Sequence, residues 1–216
     1  MAPRAIALIG AECTGKTTLT TALQAALTLR GLRVARTNEY LRTWCDTQQR
    51  TPLAHEQAAI AHAQADALLA ATGFDYVLCD TTPLLTAIYS ELLFGDTSLY
   101  PFALEHQARY ALTLLCGTDL PWVADGIQRD GAAARLRFDA RLREVLTQHR
   151  IAFCTVLGMD EARLQNALRN FDAHVLRHPS ATPDTQAPWK WMCERCSDAA
   201  CEHRLFRKLV QQDPML

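Results

Sequence analysis

The stretch from Leu8 to Leu19 reads LIGAECTGKTTL, and it constrains the fold more than any other part of the chain. Gly10, Gly15, Lys16 and Thr17 have the spacing G-x-x-x-x-G-K-[ST], between an apolar run, Ala5 to Ile9, and a helical period in Leu19, Ala22, Leu23, Ala26 and Leu27. A strand, a glycine-rich turn and a helix in that order make a phosphate-binding loop. Glycines let the backbone N–H groups turn inward, the helix N-terminus adds its positive end, Lys16 reaches the β- and γ-phosphates, and the Thr17 hydroxyl takes a Mg2+ position. The expected ATP cradle is therefore Gly10, Ala11, Glu12, Cys13, Thr14, Gly15, Lys16, Thr17 and Thr18. The chain has only three lysines, Lys16, Lys190 and Lys208, so composition alone does not account for one here.

Such a unit calls for a parallel sheet covered by helices on both faces, and the rest of the chain alternates accordingly. Strands are expected at Arg33 to Thr37, Tyr76 to Cys79 with Asp80 at its end, Leu112 to Cys116 and Ile151 to Leu157. Helices are expected from Lys16 to Arg30 with Gly31 as stop, from His55 to Ala71, from Pro83 to a stop at Gly95 with Thr82 as cap, and through Leu164 to Val175. The segment from Asp125 to Arg143 is rich in arginine and punctuated by glycine. Linker composition in PSATPDTQAP divides a kinase-like domain, 1–178, from a Cys/His-rich tail, 179–216. The expected fold is thus α/β, a P-loop NTPase sheet with a short C-terminal Cys-rich appendage.

A net charge of −1 offers no basic field for a phosphate backbone, which argues against a nucleic-acid partner. With no run of eighteen apolar residues and no secretory leader in MAPRAIALIGAE, neither a membrane partner nor export is expected, and the reading is cytoplasmic. Of the eight cysteines, Cys79, Cys116 and Cys154 fall inside apolar runs, where cysteine acts as a small hydrophobe.

A bound nucleotide can switch, be hydrolysed or donate. No Asn-Lys-x-Asp sequence marks a guanine switch, and Asp80 is followed by Thr81 and Thr82 rather than by a water-activating Glu. Transfer to a small acceptor fits better, and it needs a carboxylate at a neighbouring strand end and arginines that close over the phosphates. Glu39 and Asp80 supply the carboxylates, with base and Mg2+ roles open between them, and Arg129, Arg135 and Arg137 are the lid candidates. Tyr40, Trp44, Trp122, Asp119 and Asp125 fall near strand ends, where aromatic faces and carboxylates suit a cationic acceptor; Trp44 reads equally as a core aromatic, whereas Trp122 reads as a pocket residue rather than as core. An ATP-binding regulatory module or ATPase without an acceptor is the other reading, and the oligomeric state is open.

In order along the chain, GAECTGKTTL, NEYLR, DTTPLLTAIY and WVADGIQ resemble the ribosylnicotinamide kinase domain of the NadR family, over about Ala5 to Leu168. The resemblance implies phosphorylation of nicotinamide riboside to nicotinamide mononucleotide with ATP and Mg2+, in NAD biosynthesis. It implies an acceptor region at Glu39, Tyr40 and Arg42, a Mg2+ or base position at Asp80, and a lid entry at Trp122, Asp125 and Gly126. The family tends to Asp-Thr-Asp where this chain has Asp80-Thr81-Thr82, and its upstream adenylyltransferase part is not expected here.

The tail segment CERCSDAACEH sets Cys193, Cys196, Cys201 and His203 at C-x2-C-x4-C-x-H spacing, the ligand set of a closed structural zinc site. A reduced tail without metal and a Cys193–Cys196 disulfide are the other readings.

Overall fold

The computed structural model describes residues 3–122 and 131–176. Five strands form one parallel sheet: β1 (Arg4–Ile9), β2 (Val34–Thr37), β3 (Tyr76–Asp80), β4 (Leu112–Cys116) and β5 (Cys154–Val156), in the order β2-β3-β1-β4-β5. All strand C-termini therefore open on one edge. Among the described residues there are seven α-helices: α1 (Lys16–Leu29), α2 (Tyr40–Gln48), α3 (Gln57–Leu69), α4 (Pro83–Phe94), α5 (Tyr100–Gln107), α6 (Ala132–Gln148) and α7 (Asp160–Phe171).

Period-two alternation in β1 divides the core. Ile6 and Leu8 point to one face, where Leu78 and Leu114 join Leu23 and Leu27 of α1 and Ala167, Leu168 and Phe171 of α7. Ala7 and Ile9 point to the other, against Leu84 and Ile88 of α4, Ala103 of α5, and Leu142 and Leu146 of α6. Both faces of the sheet are covered, as a parallel sheet requires. The expected α/β P-loop architecture is what the chain adopts.

Several elements differ from expectation. α2 and α5 were not legible as helices, and the helix expected from His55 begins as a 3₁₀ turn, Ala54–Glu56, before α3. The arginine-rich segment is, from Ala132 onward, the helix α6, whose Phe138, Leu142, Val145 and Leu146 make a stripe at helical spacing buried on the sheet. β5 is shorter than expected because Ile151 and Phe153, ahead of it, pack against the α6 side instead of pairing. Thr82 does occupy the N-cap of α4, yet its side chain accepts no helix N–H; its hydroxyl donates to Gln107 Oε1 (2.8 Å), and the Gln107 amide donates in turn to Thr113 Oγ1 (3.1 Å). Cys79, Cys116 and Cys154 are buried and free, and burial pushes the Cys79 and Cys154 thiols up to about 11, in keeping with a packing role.

Candidate active site

The turn between β1 and α1 is shaped by two glycines. Gly10 has φ +147°, and a Cβ there would lie 2.7 Å from the Cys116 carbonyl oxygen. Gly15, at φ +71°, is the N-cap of α1, and a Cβ would meet Leu120 Cδ1 at 2.9 Å. Backbone conformation disfavours a side chain at both positions, and at Gly10 the Cys116 carbonyl excludes one by space as well. Cys13, at φ +55°, takes the same left-handed region without being glycine. The Thr14 hydroxyl donates to Ala11 O (2.7 Å), and Lys16 Nζ donates to Gly10 O (3.0 Å) and Ala11 O (2.9 Å), so the lysine lies folded across the loop. No side-chain cap and no acidic residue occupies the first turn of α1, and Thr17 and Thr18 are exposed. These amides, with the lysine and the Thr17 hydroxyl, fit a polyphosphate and its Mg2+.

On the β4–β5 side, two buried arginines tie the loop to its neighbours. Arg163 of α7 donates to Thr14 O (2.7 Å) in the phosphate loop, to Gly117 O (3.2 Å) after β4, to Gly158 O (3.0 Å) after β5, and to Asp119 Oδ1 (3.0 Å). Desolvation opposes ionisation of Asp119, yet the Gly158 N–H and the Arg163 guanidinium together hold its carboxyl below the usual aspartate range. Arg135 of α6 donates to Thr118 O (2.6 Å) and Leu120 O (2.9 Å), fixing the segment whose Leu120 fills the space left by Gly15.

On the β2–β3 side, Asp80 ends β3 in register with Leu8 of β1, two residues before Gly10. It is 1% exposed, and its Oδ1 has no hydrogen-bond partner among the described residues. An acceptor oxygen so placed beside the phosphate loop fits a metal or a ligand hydroxyl. The next residue, Thr81, has φ +78° and donates its N–H to Leu8 O (3.0 Å). Glu39 is the N-cap of α2; its side chain is 18% exposed and meets Arg42 Nε only at 3.7 Å. Tyr40 is partly exposed at the start of the same helix.

Trp122 is half-buried, and its indole N–H is buried with no partner among the described residues. Trp44 sits on α2 with the Arg50 guanidinium 4.9 Å over its ring. Arg137 is exposed on α6. Asp125, Gly126 and Arg129, like Cys193, Cys196, Cys201 and His203, lie outside the described residues. Among the described residues no three His, Cys, Asp or Glu side chains converge on a metal-sized site.

Sequence reasoning did not find Arg163 or Gln64, a buried glutamine of α3 that bonds to the loops after β2 and β3. Each carries one signal: a polar residue in phase with an apolar stripe, Arg163 with Ala167 and Asn170, and Gln64 with Ile60 and Ala61.

The parallel sheet and its glycine cradle define a P-loop nucleotide-binding domain. The chain belongs to the AAA domain family, which it matches over residues 5–166. Its fold is shared with the NadR protein solved in complex with NR, and with NAD and AMP-PNP. Both NadR matches have a TM-score of 0.64 at 18% identity and cover 80% of this chain. This chain spans about half of those NadR chains, 51% and 49%. Deoxyadenosine kinase from M. mycoides, solved with products dCMP and a flexible dCDP, matches at TM-score 0.50 and 13% identity, over 78% of this chain and 99% of its own. No curated protein sequence matches the chain. The resemblance to NadR is thus shown at the level of fold.

Proposed function

We propose that the domain is an ATP-dependent kinase for the hydroxyl of a small nucleoside-type acceptor, with nicotinamide riboside as the favoured substrate. The observation that carries the proposal is the buried Asp80 carboxyl, with an oxygen that has no partner among the described residues, one strand away from the phosphate loop and one strand from Glu39. Bound Mg-ATP supplies the phosphoryl group. The 10–18 amides and Lys16 hold the phosphates, and Thr17 and Asp80 are the residues that would hold Mg2+. Glu39 accepts the acceptor hydroxyl's proton, although the two carboxylates could exchange roles. Tyr40, Arg42, Trp122 and Asp125 are assigned to the acceptor, whose ring charge suits aromatic faces and carboxylates.

Of the lid arginines, Arg135 is committed to the Thr118 and Leu120 carbonyls and acts by holding them, which leaves Arg129 and Arg137 to meet the transferring charge. The tail ligands Cys193, Cys196, Cys201 and His203 are proposed as a zinc staple apart from catalysis, read by metal analysis of untagged protein. No described helix is long and apolar enough to cross a membrane.

The decisive test offers Mg-ATP with nicotinamide riboside, deoxyadenosine and other nucleosides and scores acceptor-dependent ADP release. ADP release that ignores every acceptor would overturn the kinase reading in favour of an ATPase or regulatory module.

A further inference from the structure

Gln64 joins the two loops that carry the proposed catalytic carboxylates. It is 4% exposed on α3, with its amide turned toward the C-terminal ends of β2 and β3. Its Oε1 accepts the Tyr40 N–H at 2.7 Å, and its Nε2 donates to Asn38 O at 3.2 Å and, at the long distance of 3.5 Å, to Thr81 O. Glu39 lies between the two held peptide groups, and Thr81 directly follows Asp80. One side chain therefore fixes the backbone on both sides of Glu39 and the carbonyl next to Asp80.

The chemistry of the position calls for an amide. Only a group with an acceptor and a donor on one planar fork can take an N–H and give to carbonyls at once. A carboxylate there would face two carbonyl oxygens without a proton to give, and an apolar side chain would leave three backbone groups unpaired. The far end of the clamp is strained as well: Thr81 is β-branched at φ +78°, a conformation that persists where the surroundings hold it. Leu8 O takes its N–H and Gln64 meets its carbonyl. A residue forced into this region just after a buried carboxylate sets the direction in which the chain leaves the strand beside it.

We infer that Gln64 is a positioning residue that sets the placement of Glu39 relative to Asp80, and through it the angle at which an acceptor hydroxyl meets the phosphoryl group. The inference rests on the kinase reading. It separates the two ligands: the phosphate loop receives none of the Gln64 bonds, and the contact beside Asp80 is the longest of the three, so loss of the amide falls mainly on the acceptor side.

The test compares the wild-type chain with Gln64→Met and Gln64→Glu, using nicotinamide riboside and Mg-ATP for turnover and AMP-PNP for calorimetry. A misplacement of about 1 Å is worth about 10²-fold in rate, so kcat in Gln64→Met is expected to fall by about that factor, with AMP-PNP affinity within about twofold of wild type. Gln64→Glu regains a donor when protonated, so its kcat relative to wild type is expected to climb as pH falls. Unchanged kcat in both variants, an equal loss of AMP-PNP affinity, or a Gln64→Glu ratio flat with pH overturns the assignment. If Gln64→Met does not fold, the pH profile of Gln64→Glu decides alone. If the wild-type chain phosphorylates no acceptor, the kinase reading fails separately, and the clamp is read from hydrogen exchange. Tyr40 amide exchange at least about tenfold faster in Gln64→Met, which removes the acceptor of that N–H, than in wild type keeps the clamp, and unchanged exchange removes it.

Discussion

The two halves of the strand-end edge are built to different rules. On the β1–β4–β5 side, Arg163 and Arg135 give hydrogen bonds to five carbonyls and Arg163 pairs with Asp119, so loop is bonded to loop by charged donors. On the β2–β3 side, one neutral amide joins the loops, Glu39 meets its arginine only at 3.7 Å, and Asp80 Oδ1 and Thr81 Oγ1 are buried without partners among the described residues. Unsatisfied buried oxygens cost free energy unless something else satisfies them. The contrast suits a division of labour in which a preorganised cradle holds a polyphosphate, while the other side keeps hydrogen-bonding capacity for a second ligand.

The largest expected effect tests that spare capacity. Glu39→Gln keeps size and removes the base, so turnover should drop by about 10²- to 10⁴-fold while AMP-PNP binding by calorimetry stays intact. A fully active variant would move the base role to Asp80. Lys16→Ala strikes the other half: it removes the cradle's only lysine, and both nucleotide affinity and turnover should fall, the latter by about 10²- to 10³-fold. Unchanged ATP binding in that variant would sink the phosphate assignment. Together the pair should separate, one variant blind to the nucleotide and the other not.

Bracing is the next lever. Arg163→Met leaves four partners behind, among them a buried Thr14 carbonyl and a carboxylate that is 31% exposed, so thermal unfolding should show a loss of about 3 kcal/mol. The Asp119 titration should also move up as its cation disappears. If the melting temperature and nucleotide affinity were both unchanged, the β4–β5 half would not owe its rigidity to this residue.

The same contrast explains how much the sequence discloses. The cradle is contiguous from Gly10 to Thr17, and its strand and helix carry local signals, so it is readable in one glance. So are Leu112–Cys116, and the helix opened by Pro83 and stopped by Gly95, because caps and stops are local chemistry. Arg163 reaches Thr14 across 149 positions, and Gln64 reaches Asn38 across 26, distances that no periodicity encodes. α6 was hidden for another reason: its arginines suggest a solvated lid, and only the spacing of Phe138, Leu142 and Val145 shows a face turned inward. α5 is eight residues long with little periodicity, too short for pattern to speak.

The smallest expected effect lies at the outer rim of the β2–β3 half, where Arg50 holds the α2–α3 connection. Its guanidinium stacks over Trp44 and meets Glu56 through both nitrogens, NH1 to Oε2 at 2.7 Å and NH2 to Oε1 at 2.6 Å. Glu56 in turn accepts the Leu53 N–H at 2.7 Å, closing the turn that starts α3. The Arg50 hydrogen bonds first, then the Leu53 amide, bring the Glu56 carboxyl down to about 2 from an ordinary value of 4.5. A carboxyl lowered by folding lends its support fully above the unfolded value and loses it as pH falls toward the folded one. The connection should therefore loosen between about pH 4.5 and pH 2 while β1 and β4 amides stay protected. In Arg50→Met the Glu56 carbon resonance should titrate closer to an ordinary glutamate, with Leu53 alone still pulling it down. Because Arg50 is exposed and Glu56 partly so, raising salt should shift the wild-type midpoint in the same direction. A wild-type midpoint near that of free glutamate would mean that this rim, like the rest of its half, is held by something other than charge.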